Sequence, residues 1–127
     1  MATIAASIVL YNTDKAELES IISACLNSNV PIDIYLVDNS PNDDLSYLQS
    51  DKRISYLKSD YNGGFGYGHN KAITHFKLLE KYDYCLVMNA DIEFEFDVAK
   101  NIEKYMEENS KVGVLMPRIL NPNGNHE

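Results

Sequence analysis

The stretch YCLVMNAD, residues 84–91, is a short apolar run that stops at an Asn-x-Asp pair. A run this short and this continuously apolar predicts a β-strand buried on both faces, as in a parallel sheet covered by helices. Asn89 and Asp91 would then lie at the carboxyl end of the strand. Open α/β sheets bind their ligands at that edge. The stretch therefore predicts both a parallel sheet and a binding site.

Apolar runs and helical spacing alternate along the rest of the chain. Strands are predicted at residues 3–10, 34–37, 54–57 and 112–116, in addition to the run at residue 84. Helices are predicted after a cap at Thr13 or Asp14, at residues 45–48, from a glycine-rich loop to about residue 82, and at residues 98–109. This order favours an α/β fold, a helix/sheet/helix sandwich with a mostly parallel central sheet.

Composition limits the possible partners. The 127 residues fit one domain, and the net charge of −8 argues against a nucleic-acid partner. No apolar run approaches the roughly 18 residues that a transmembrane segment requires. Cys25 and Cys85 have no metal-ligand spacing and are expected to be small buried hydrophobes. We expect a cytoplasmic protein, with the inner face of the membrane as an alternative location for a full-length protein.

The end of the sequence is dense in turn-forming residues. Asn123 and Gly124 would suit a hairpin whose second strand is absent. This pattern predicts that the chain is the amino-terminal part of a longer protein, and a naturally short chain is the alternative.

The Asn-x-Asp pair is a candidate metal and sugar site. Asp91 could ligate Mg²⁺ or Mn²⁺, which prefer oxygen ligands and also accept water and substrate phosphates. The Asn89 amide could hold a ribose hydroxyl. The alternative is that both residues only cap a turn.

Two further segments could contact a nucleotide. Asp38 follows the second predicted strand and could accept the imide N–H of uracil or thymine, although this motif taken alone is better explained by an Asx turn closed by Pro41. Tyr11 could stack on a nucleobase or lie at the edge of the core. The glycine-rich loop at residues 62–68 could bring backbone N–H groups and a helix N-terminus to phosphate, or be a flexible turn.

The glycine-rich loop does not match the dinucleotide fingerprint. Gly64 and Gly66 would require a third glycine where His69 stands, and the loop follows the third predicted strand, not the first. Nicotinamide binding is therefore disfavoured.

Taken together, these motifs resemble the inverting family 2 glycosyltransferases of the GT-A fold, and among them the rhamnosyltransferase-like branch. The motifs occur in the family's order at residues 8–12 (IVLYN), 37–40 (VDNS), 62–70 (NGGFGYGHN), 86–91 (LVMNAD) and 116–120 (MPRIL). The branch commonly has proline in the middle of its Asn-x-Asp triplet, and this chain has Ala90 there. The resemblance implies a Rossmann-like GT-A sandwich, apparently truncated, that binds a nucleotide sugar linked to dTDP or UDP.

The resemblance also implies where the donor would bind. Residues 1–120 would form the donor-binding subdomain, and residues 121–127 would begin a truncated acceptor-side segment. Mg²⁺ or Mn²⁺ would bind Asp91, in a protein of cell-wall or polysaccharide biosynthesis that uses a glycan or lipid-linked acceptor. The donor-binding residues implied are Tyr11, Asn12, Asp38, Asn39, Asn62, Gly63, Gly64, Phe65, Asn70, Asn89 and Asp91.

No catalytic residue is expected within this chain. The acidic general base of such enzymes lies downstream of the matching segment, and Glu93, Glu95 and Asp97 are better explained as solvated acids near a helix start. Two other classes remain as alternatives. A non-catalytic nucleotide-binding or interaction module would look the same, whereas a receiver-like regulatory domain would need an acidic pair where Tyr11 and Asn12 stand.

Overall fold

A computed structural model describes residues 3–41 and 44–120. Strands β1 to β4 are Ile4–Leu10, Ile32–Asp38, Ile54–Lys58 and Tyr84–Asn89. Helices α1 to α3 are Lys15–Leu26, Phe65–Lys77 and Val98–Glu108, and a short 3₁₀ helix covers Ser46–Ser50. The alternation of strands and helices predicted from the sequence is therefore present up to the end of α3.

The four strands form one parallel sheet in the order β3-β2-β1-β4. β1 lies inside the sheet, with Ile4 opposite both Ile32 of β2 and Tyr84 of β4. Since every strand is parallel to its neighbour, all carboxyl ends lie at one edge. The predicted parallel sheet is confirmed.

Helices cover the sheet on both faces. On one face, even-numbered β1 residues such as Ile8 pack with Ile21 of α1 and Ala99 of α3. On the other face, Tyr35 of β2 packs with Phe76 of α2 at 5.1 Å between ring centroids. The alternation of side chains along β1 and β2 thus supplies two separate apolar layers, which is the predicted sandwich.

Helix α1 begins where a side chain can cap it. The Asp14 carboxylate accepts the backbone N–H groups of Ala16 and Glu17, at 3.1 and 3.3 Å. Of the two caps that the sequence allowed, the structure uses Asp14. The helix ends at Leu26, several residues before Pro31.

The strand that carries the Asn-x-Asp pair is not buried on both faces. β4 is an outer strand of the described sheet, and α2 packs over β1 and β2 instead of over β4. Val87 is therefore 51% exposed, and Cys85 is exposed as well. The predictions of two-sided burial and of a buried Cys85 are wrong, whereas the prediction for Cys25 is confirmed.

Two predicted element boundaries also differ. Residues 112–116 form no strand, and Val114 and Met116 are exposed, because no described strand offers them a ladder. α2 ends at Lys77 instead of about residue 82, since residues 78–80 turn and Glu80 has a φ of +51°. The hairpin predicted at residues 123–124 lies outside the described residues. In the part of the chain that the structure describes, no helix is long and apolar enough to cross a membrane.

Candidate functional site

The polar ends of the strands lie side by side at the carboxyl edge of the sheet. In the strand register, Asp38 is opposite Leu10 on one side and Lys58 on the other, and Asn89 is opposite Val9. The segments after β1, β2 and β4 therefore leave the sheet next to one another. The register thus places the segments that carry Tyr11, Asp38 and Asn89 side by side at this edge.

Asp38 is fully buried and its carboxylate is held from two directions. Oδ1 accepts the backbone N–H of Ser40 at 2.9 Å, which closes the local turn. Oδ2 accepts the hydroxyl of Tyr56 at 2.6 Å and lies 3.7 Å from the Lys58 ammonium. The carboxylate thus has a fixed orientation, and the Asx turn that the sequence offered as an alternative is present.

Tyr56 and Lys58 lie on β3 and are not part of any motif seen in the sequence. The Lys58 ammonium also donates to the backbone carbonyl of Ser40, so it bridges the turn and the carboxylate. Burial, together with the hydrogen bond to Asp38, raises the pKa of Tyr56. The Tyr56 phenol therefore stays protonated and acts as a donor to Asp38.

Asn39 and Asn12 tie the loops at this edge together. The Asn39 backbone N–H donates to the carbonyl of Leu10 at 2.9 Å, and its side-chain amide donates to the carbonyl of Gly64 at 3.1 Å. The Asn12 backbone N–H donates to Ser40 Oγ at 2.7 Å. Three loops thus form one connected rim. The Asn39 Oδ1 atom is buried and accepts no hydrogen bond from the described residues.

The glycine-rich loop is a shaped turn. Asn62 Oδ1 accepts the backbone N–H of Gly64 at 3.0 Å, and Gly64 has φ +93° and ψ −176°. Only glycine adopts that conformation readily. Gly64 precedes α2 without a side-chain cap, so no described side chain takes the N–H groups of the first helical turn. The N–H groups at such a helix start are the kind that can bind an anion.

Other predicted loop residues have different surroundings. A side chain at Gly63 would meet the Tyr67 ring, so the loop is closely packed there. Phe65 is half exposed, and its ring packs edge-on against His69 at 4.2 Å between centroids. Asn70 is exposed, more than one turn into α2.

His69 directly follows the glycine-rich loop and is buried, and none of the donor contacts expected from the sequence uses it. Its Nδ1 atom lies 2.7 Å from the hydroxyl of Ser7 on β1, and its Nε2 atom is buried with no partner among the described residues. Burial lowers the pKa of His69. The helix can approach β1 this closely because Gly68 lies over Val9, where a Cβ atom would come within 2.6 Å.

Tyr11, Asn89 and Asp91 are exposed at the same edge. Among residues 3–41 and 44–120, no group of three His, Cys, Asp or Glu side chains could hold a metal ion. Asp91 alone therefore represents the candidate metal position. A single carboxylate fits Mg²⁺ or Mn²⁺, because these ions complete their coordination with water and substrate phosphates.

The fold and this edge define an α/β protein of the Rossmann-like GT-A type. Residues 6–127 match the model of glycosyl transferase family 2, and the chain belongs to that family. No curated protein matches the chain as a relative.

Solved structures share the fold at low sequence identity. The crystal structure of S. aureus TarS matches with a TM-score of 0.70 and 15% identity, over 94% of this chain and 24% of that one. A structure of S. aureus TarS 1–349 in complex with UDP matches with a TM-score of 0.69 and 14% identity, over 97% of this chain and 43% of that one. The chain thus spans less than half of these proteins.

Proposed function

We propose that this chain is the donor-binding part of an inverting glycosyltransferase, residues 1–120 forming the donor-binding subdomain. The donor is a sugar linked to UDP or dTDP, with rhamnose as the candidate sugar from the sequence resemblance. The acceptor in the full-length protein is a glycan or a lipid-linked glycan of cell-wall or polysaccharide biosynthesis. The protein would work in the cytoplasm or at the inner face of the membrane.

The observation that carries the proposal is the joined rim of loops at the carboxyl edge. Tyr11 offers an exposed ring, Asp38 a fixed carboxylate, and Gly64 the start of a helix with free N–H groups. A pyrimidine base needs the first two kinds of contact, and a diphosphate needs the third. Family membership supports the same interpretation, and so does a UDP complex of a protein with the same fold.

Asp91 would hold Mg²⁺ or Mn²⁺ and Asn89 would contact the ribose. The ion would supply positive charge next to the donor diphosphate. In this proposal, the residues of the chain bind and orient the donor, and the general base is supplied from outside it. Purified chain alone should therefore bind donor but transfer little sugar.

A thermal-shift titration tests the proposal. UDP and dTDP are added to the protein with and without Mn²⁺, and ADP serves as the control nucleotide. At about 100 times the dissociation constant, a ligand stabilises the native state by roughly 2.7 kcal/mol, or on the order of 10 °C in a domain of this size. A melting temperature that no pyrimidine diphosphate raises would overturn the donor-site proposal.

The same titration addresses the non-catalytic module. Both hypotheses predict nucleotide binding, but only a donor site should gain affinity from the sugar of an intact UDP-sugar, which is therefore titrated beside UDP. Joining the chain to an acid-containing acceptor region, where the source gene encodes one, should then give sugar transfer. Tight nucleotide binding without transfer in that longer protein would favour the module.

A further inference from the structure

The carboxylate of Asp38 depends on two side chains from the neighbouring strand. Ser40 holds Oδ1 through the local turn, but Oδ2 is held by Tyr56 and Lys58, which lie two residues apart on β3. Residues two apart on a strand point to the same face of the sheet. β3 therefore presents a hydroxyl and an ammonium to one carboxylate oxygen.

We propose that Tyr56 and Lys58 are positioning residues that set the pyrimidine preference of the site by fixing the orientation of the Asp38 carboxylate. This inference rests on the proposed function, because it assumes that Asp38 meets the base; since the carboxylate is fully buried in the structure, donor binding has to uncover one of its acceptor positions. Uracil presents an N–H at ring position 3, whereas cytosine presents a bare acceptor nitrogen there. A carboxylate held in one orientation attracts the first and repels the second.

Because Asp38 is buried, the orientation of its carboxylate matters for binding. Asp38 is fully buried, and a buried carboxylate interacts strongly with the donors around it because little water screens them. Two oxygens give about four acceptor positions, and hydrogen bonds from Ser40 and Tyr56 occupy one position on each oxygen. The Tyr56 hydroxyl and the nearby Lys58 charge therefore decide how the remaining acceptor positions of Oδ2 are directed.

The test compares UDP and CDP binding by calorimetry in the unaltered chain and in Tyr56→Phe, which removes only the hydroxyl. Tyr47→Phe is the matched control, since Tyr47 is exposed on the 3₁₀ helix. We expect Tyr56→Phe to weaken UDP binding about tenfold, because the Asp38 carboxylate is no longer held in the orientation that accepts the N–H of uracil. CDP binding should change little, so the ratio of UDP affinity to CDP affinity should fall. Tyr47→Phe should keep both affinities.

A second variant covers the case in which Tyr56→Phe does not fold. Lys58 is partly exposed, and Lys58→Met retains most of its side chain while removing the ammonium group. This variant should also lower the ratio of UDP affinity to CDP affinity. An equal loss of UDP and CDP binding in the variants would overturn the inference, because general loosening of the site has that effect. Unchanged UDP binding in both variants would overturn it as well, while the donor-site proposal would stand. Failure of the unaltered chain to bind any pyrimidine diphosphate would overturn both.

Discussion

At the scale of single residues, Asp91 carries the metal proposal. We expect Asp91→Ala to abolish the extra thermal shift that Mn²⁺ gives with UDP, because the substitution removes the only protein carboxylate proposed to touch the ion. The melting temperature without ligand should not change, since Asp91 is exposed in a turn. Glu93→Ala removes an exposed acid two residues away and should keep the Mn²⁺ effect. Equal enhancement by Mn²⁺ in Asp91→Ala would refute the role.

His69 predicts a pH dependence of stability. Burial lowers its pKa from the ordinary 6.5, so the unfolded chain takes up a proton first as the pH falls. Protonation then favours unfolding, and stability is lost below about pH 6.5. At pH 5.5 the loss in free energy of unfolding is at most about 1.4 kcal/mol.

Urea unfolding at pH 7.5 and 5.5 measures this loss. His69→Gln should lose less stability between the two values than the unaltered chain, because glutamine does not titrate. His75→Gln changes an exposed histidine of the same helix and should behave like the unaltered chain. Identical losses in all three proteins would contradict the prediction.

At the scale of elements, the contact between α2 and β1 fixes the height of the glycine-rich loop over the sheet. Gly68→Ala would place a methyl group within 2.6 Å of the Val9 side chain, whose branched Cβ leaves it little freedom. We expect a loss of about 1–2 kcal/mol in the free energy of unfolding, after the helix preference of alanine is counted. Denaturant unfolding measures it.

Gly66→Ala provides the control within the same helix. A Cβ at Gly66 meets no atom within 4 Å, so alanine should stabilise the protein by up to about 1 kcal/mol. A Gly68→Ala protein as stable as the Gly66→Ala protein would show that the helix moves away from β1 without cost.

The elements differ in how far the sequence could predict them. The types of β1 to β4 and α1 to α3 follow from apolar periodicity, and Asp14 follows from capping chemistry. The apolar run of β4 could not show that this strand has only one neighbour in the described sheet, since periodicity reports apolar side chains and not strand order. β2 is longer than predicted, Ile32–Asp38, because pairing with β1 extends it across Asp33.

The residues of the candidate site also differ in how far the sequence could predict them. Asp38, at the end of β2, and Asn62, in the loop before α2, could be selected from the sequence because their residue types are favoured where strands give way to loops. Tyr56 and Lys58 could not, since their importance comes from pairing between β2 and β3 and not from a motif. The register of the sheet was needed to bring them to Asp38.

At the scale of the whole molecule, net charge affects the binding of the proposed donor. The net charge of −8 would oppose an anionic donor at a distance, so a cation at the carboxyl edge would favour donor binding. Lys58 lies at that edge, and part of its charge is already used by Asp38. The proposed divalent ion is the simplest way to balance the remaining charge of a diphosphate.

The position of β1 in the sheet has a consequence for folding during synthesis. Of the strands in the described sheet, β1 is synthesised first, yet it lies between β2 and β4, the last of them to be made. At about 5–20 residues per second, translation takes on the order of seconds to pass from Leu10 to Asn89. During that interval the nascent chain carries an inner strand with at least one edge unpaired. A ribosome stalled before Asn89 should therefore present a chain open to chaperones.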